Sequence, residues 1–164
     1  MVDFELIRTT LVEGLSSFIG MPVIESDTAA EMPPYPFLTY NVTTSGISTG
    51  YPGMTILVDL DDDTVTEQYI DQPIMMVSIN SYAIRKTVSI QNAMRAADWL
   101  NTTGHDVLKS KANTVVVDIG DIQSRDVQLG DEWERRNGFD VTLRASSVIE
   151  VKQDWIEKAN MQRS

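Results

Sequence analysis

The stretch Phe139-Asp140-Val141-Thr142-Leu143-Arg144-Ala145 alternates apolar and polar residues without a break. Successive side chains of a strand point to opposite faces. Phe139, Val141, Leu143 and Ala145 therefore share one buried face, and Asp140, Thr142 and Arg144 share the other. A strand with one face buried needs a layer to cover that face, and the rest of the chain has to supply it.

Working outward, residues 37–44 repeat the pattern, with Leu38, Tyr40 and Val42 set against Thr39, Asn41 and Thr43. Residues 74–82 set Met75, Val77 and Ile79 against Met76, Ser78 and Asn80, and residues 114–122 set Val115, Val117 and Ile119 against Asp118 and Gly120. Residues 54–60 read as a further strand. Gly46, Gly50, Pro52 and Gly53 break the chain before it, and a strongly acidic stretch over 59–71 follows. The excursion around 45–73 reads as a long exposed hairpin or arm.

Two segments carry helical spacing instead. Phe4, Ile7, Leu11, Leu15 and Phe18 form one stripe, with Asp3 as N-cap and Gly20 as stop. Ile90, Ala93, Met94, Ala97 and Leu100 form the second, with Thr87 or Ser89 as cap and Gly104 as end. A short apolar pair, Val23-Ile24, precedes a loop over 27–36, where Pro33, Pro34 and Pro36 exclude helix. A helical turn is expected over 105–111. From Val148 onward, Val151, Trp155 and Ile156 suggest a strand end followed by a short helix. The expected fold is α+β: one domain over residues 1–164, a mostly antiparallel sheet, and two helices packed on one face.

Composition narrows the function. At 164 residues the chain fits a single domain. It has no cysteine, which removes disulfides, thiolate metal sites and a cysteine nucleophile together. The 13 basic and 24 acidic residues give a net charge of −11, the wrong sign for binding nucleic acid by phosphate neutralisation. That acidity serves either solubility or a negative wall past which DNA slides without sticking. No signal-peptide pattern is present, and no window approaches the roughly 18 apolar residues of a membrane span.

Candidate chemistry fails at named positions. Asp59, Asp61 and Asp63 have the spacing that opens an EF-hand loop, but Thr64 stands where its glycine belongs and Ile70 where its bidentate glutamate belongs. His105 is the only histidine, placed in an exposed turn after a helix, so a two-histidine metal site is impossible. No nucleophile elbow, P-loop or dinucleotide fingerprint occurs. No carboxylate pair sits in an apolar run that would raise its pKa. Asn41-Val42-Thr43 and Asn101-Thr102-Thr103 are chance glycosylation sequons in a chain without a secretion signal. The expectation is a protein without catalysis, metal or cofactor. Trp99, beside the second helical stripe, reads as core or edge packing and not as a binding platform. Trp133 lies in the charged run Leu129-Gly130-Asp131-Glu132-Trp133-Glu134-Arg135-Arg136, where it either folds back on its own domain or anchors a neighbour.

In order along the chain stand an initial helix, Pro34-Tyr35-Pro36-Phe37-Leu38-Thr39-Tyr40 entering a strand, and Val77-Ser78-Ile79-Asn80-Ser81-Tyr82 leading to a helix that ends Asp98-Trp99-Leu100. Glu134-Arg135-Arg136-Asn137-Gly138-Phe139-Asp140-Val141 comes last. This series resembles the tailed-bacteriophage neck and tail-terminator proteins over most of the chain. The resemblance implies a homo-oligomer, a hexameric ring at the neck of the virion that is assembled in the host cytoplasm. Such a ring caps the tail-tube protein, stops its polymerisation and joins it to the head-tail connector or stopper. Genome DNA passes through its lumen without specific binding, and no membrane is involved. A ring contact joins two different patches of one subunit. Tyr35, Pro36 and Phe37, together with Trp133, Glu134, Arg135 and Arg136, are the candidates for these patches, and Asp61, Asp62 and Asp63 mark the arm. Two other readings stay open: a head-completion or connector protein on the capsid side, and a non-viral acidic binding module that is monomeric with a concave pocket.

Overall fold

The computed structural model describes residues 1–49, 53–61 and 64–154. In chain order the elements are α1 (Phe4–Ile19), β1 (Val23–Glu25), β2 (Phe37–Ile47), β3 (Met54–Asp61), β4 (Thr64–Asp71) and β5 (Ile74–Ala83). There follow α2 (Lys86–Asn101), α3 (Thr103–Ala112), β6 (Thr114–Ile119), β7 (Gln123–Ser124), β8 (Val127–Leu129), β9 (Glu132–Ala145) and β10 (Ser147–Asp154). The main sheet runs β1-β2-β5-β9-β6, with β7 and β8 also paired to β9. Every pairing in it is antiparallel except β1 on β2. The α+β class and its mostly antiparallel sheet stand as read from the sequence.

The strand that sets the pattern is longer than its alternation shows. β9 begins at Glu132, so Trp133, Glu134, Arg135 and Arg136 belong to a strand and not to a loop. Phe139, Val141 and Leu143 are fully buried and share one core with Val77, Ile79, Leu38 and the helices. Gly138 has a specific reason: a Cβ there would lie 2.5 Å from the Ile79 carbonyl oxygen and 2.2 Å from Asn80 Oδ1.

α1 follows its sequence signals. The Asp3 carboxylate accepts from the Leu6 N–H at 2.9 Å, and Gly20 closes the helix in the left-handed region at φ 74°. Ile7, Leu11, Leu15 and Ile19 are buried, whereas Phe4 and Phe18 stay exposed. α2 is turned relative to its expected stripe, since Ser89, Asn92, Ala93, Ala96, Trp99 and Leu100 face inward and Met94 is exposed. Ser89 is admitted because its hydroxyl is paired twice, donating to the Ser81 carbonyl at 2.8 Å and accepting from Asn137 Nδ2 at 2.9 Å.

The helical turn expected near His105 is a full third helix, so His105 lies in the first turn of α3 and not in a loop. Gly104 does not end α2 either. It opens α3 beneath the buried Trp99 ring, 2.6 Å from where its Cβ would be, and Gly14 on α1 makes the matching space at 2.4 Å. β6 carries a bulge between Val116 and Asp118, which leaves Val117 exposed and turns Val116 and Ile119 toward the core.

A second sheet, ordered β10-β4-β3, takes up the acidic excursion. Each of its strands adjoins a central strand of the main sheet: β3 follows β2, β4 precedes β5 and β10 follows β9. The spatial order is the same in both sheets, so the small sheet prolongs the central three strands as an arm. The Ala145 N–H donates to the Pro73 carbonyl at 3.0 Å across the junction. With eight residues in β4, the arm is about 26 Å long at roughly 3.3 Å per residue. The third arm strand, β10, occupies the stretch read from sequence as a strand end, and Trp155 and Ile156 lie outside the described residues.

Candidate functional site

The sheet has two ends. At one, β2 begins, β5 passes into α2 and β9 begins; at the other, the three strands continue into the arm.

At the first end, the stretches 35–37 and 133–136 come together. Tyr35 stacks on Phe37 with centroids 5.5 Å apart, and Phe37 stacks on its cross-strand partner Tyr82 at 4.8 Å. The Arg136 guanidinium lies over the Tyr82 ring, 4.9 Å from its centroid, because Tyr82 and Arg136 are register partners. The Glu134 side chain, 4% exposed, accepts from the Tyr35 hydroxyl on one oxygen and from Arg136 on the other. That bond is the main reason the Tyr35 hydroxyl is pushed up to about 12; burial and the Glu134 charge add to it. The two stretches thus form one joined cluster and not two separate patches.

Asp126 extends the cluster. It accepts from Arg135 Nη1 at 3.0 Å and from the Arg136 N–H at 2.8 Å, and it pairs with Lys86 Nζ at 3.3 Å. Burial alone raises its pKa, but these three donors outweigh burial and hold it below the ordinary aspartate value. Trp133 is 51% exposed with Arg135 5.6 Å from its ring centroid, so it does not fold back into the core. Phe37, by contrast, is fully buried and serves as the floor of the cluster.

Beside this cluster the short β5–α2 connection holds Ile84 out at 78% exposure. Tyr35, Pro36, Ile84, Arg85 and Val88 edge an apolar concavity of about 140 Å³. The Tyr35–Pro36 peptide bond at its rim is cis. Tyr82, Ile84, Arg85, Lys86 and Asp126 were not singled out by sequence reasoning. A signal for Ile84 exists: an isoleucine between strand and helix, in a connection too short to bury it.

The arm forms the second surface. Register places Thr55, Tyr69 and Ile149 side by side, and likewise Leu57, Glu67 and Val151. Leu57, Tyr69, Ile149 and Val151 are all exposed on that face. Met54, Ile56 and Val148 are exposed on the other. Asp61 is the last residue of β3, and Asp62 and Asp63 lie outside the described residues. On the sheet face away from the helices, Arg125 donates to Ser78 Oγ at 2.7 Å, Asn80 Oδ1 at 2.8 Å and Asp140 at 3.2 Å, tying β5 to β9. Among the described residues no group of acidic or histidine side chains could hold a metal ion, and no helix is long and apolar enough to cross a membrane.

Large apolar side chains held out on a braced sheet are the kind of surface that protein contacts use. A family model described as phage neck terminator protein matches residues 9–164. The chain therefore belongs to that family, a structural family of the bacteriophage virion neck. No curated protein matches the chain.

Proposed function

We propose that this protein forms a closed homo-oligomeric ring, a hexamer, at the top of the tail tube. It ends tube growth and joins the tail to the head-side connector or stopper, and the genome passes through its open centre. The observation that carries this reading is the family match, which spans both the main sheet and the arm. The net charge of −11 supports it, since an acidic subunit does not retain a phosphate backbone. In this reading Tyr35, Pro36, Trp133 and Arg135 face a neighbour, Phe37, Glu134 and Arg136 brace them, and the arm with Asp61, Asp62 and Asp63 reaches a second subunit or the tube. Negative-stain imaging of the purified protein, alone and with tail-tube protein, tests it. Rings with an open centre that seat on tube ends are expected. A monomer at every concentration, with no ring even when tube is supplied, would overturn it.

A further inference from the structure

The arm and the β5–α2 corner lie at opposite ends of the same strands. Ile74 and Ala83 bound β5 and are about 30 Å apart at strand rise, so one copy's arm cannot reach its own corner. Their surfaces nonetheless match. On the arm, exposed Leu57 sits directly across the ladder from Glu67, with Tyr69, Ile149 and Val151 around them. At the corner, exposed Ile84 and the apolar concavity sit beside exposed Arg85, which forms no ion pair among the described residues. Behind Arg85 stands the start of α2, with no side-chain cap and no acidic residue in its first turn. Its free N–H groups add positive potential to that of Arg85. The concavity, about 140 Å³, is an open apolar depression wide enough to seat the end of one aliphatic side chain.

Resting on the ring reading above, we propose that the arm of one copy docks head to tail on the β5–α2 corner of the next. Leu57 enters the concavity at Tyr35, Pro36, Ile84 and Val88, and Glu67 meets Arg85. The occupant is a second copy because the apolar and charged halves of the contact are complementary within one sequence. A closed ring needs two unlike patches of this kind on every subunit. The contact covers Leu57, 66% exposed on the arm, and Ile84, 78% exposed at the corner.

Sedimentation velocity on the full chain tests this, with circular dichroism confirming that each variant is folded. Leu57→Asp disables the arm, and Ile84→Asp with Arg85→Asp disables the corner. Each should weaken self-association by at least about 30-fold. An equimolar mixture should give one-to-one dimers and nothing larger, because one intact arm and one intact corner remain per pair. Glu67→Arg and Arg85→Glu should each weaken assembly alone and restore it together in one chain. If the disabled variants assemble like the unaltered protein, or the mixture fails to pair, the arm–corner contact is wrong while the ring reading survives. An unaltered protein that never assembles overturns both.

Discussion

Ser89→Ala removes a hydroxyl from the centre of the fold, and its cost follows from what it leaves behind. Ser89 is 0% exposed; its hydroxyl donates to the Ser81 carbonyl and accepts from Asn137 Nδ2. Losing the first bond costs about 0.5–1.5 kcal/mol net, and stranding the buried Asn137 donor costs a further 1–3 kcal/mol or so. The expected loss is on the order of 3 kcal/mol, or roughly 10 °C in Tm for a chain of this size. Urea denaturation at one fixed protein concentration measures it, so that any self-association weighs equally on both proteins. Adding Asn137→Leu should recover more than half of the loss, because the stranded donor is removed with it. A Ser89→Ala cost below about 0.5 kcal/mol would refute the reasoning and show that water or another acceptor serves Asn137.

Gly14→Ala gains up to about 1 kcal/mol of helix propensity but drives a methyl group into the Trp99 ring. A net loss of roughly 1–3 kcal/mol is expected by thermal melt, and Trp99→Phe in the same chain should relieve part of it. Asp126 is held below the ordinary aspartate value, so the unfolded chain takes up its proton first as pH falls. Its contribution is present above the unfolded pKa of about 3.9 and is lost below it. Asp126→Asn should flatten the fall in urea midpoint from pH 5 downward, and an unchanged slope would contradict the three-donor geometry. Tyr35, pushed up to about 12, stabilises the fold below about pH 10 and loses that contribution as pH rises toward 12. Tyr35→Phe should remove a late-ionising phenol from the alkaline absorbance titration.

Local pattern made the sheet and α1 legible. β9 shows because Phe139 to Ala145 alternate without exception, and α1 because Asp3 and Gly20 bracket a single stripe. The face of α2 was misjudged because Ser89 and Asn92 are buried on it, and partners that make a buried serine acceptable lie on other strands. The alternation of Val115, Val117 and Ile119 misled because a bulge breaks the period. Gly104 looks like a helix stop in isolation and becomes a slot only once Trp99 is above it. Of the candidate site, the stretches at Tyr35 and Trp133 were visible as aromatic and charged loops. Their union was not, because Tyr35 and Glu134 are 99 residues apart. Such pairing comes from the β2-β5-β9 order, which no single stretch encodes.

The continuity of the central strands has a mechanical consequence. A pull on the arm loads β4, β3 and β10 along their length, and the force passes from β4 into β5 through residues 72–73 and from β10 into β9 through residue 146. The ladder hydrogen bonds lie perpendicular to that pull. They are sheared together and not peeled one at a time, so the many bonds between β5 and its flanking strands share the load. A structural component of the virion neck gains from failure being collective in this way.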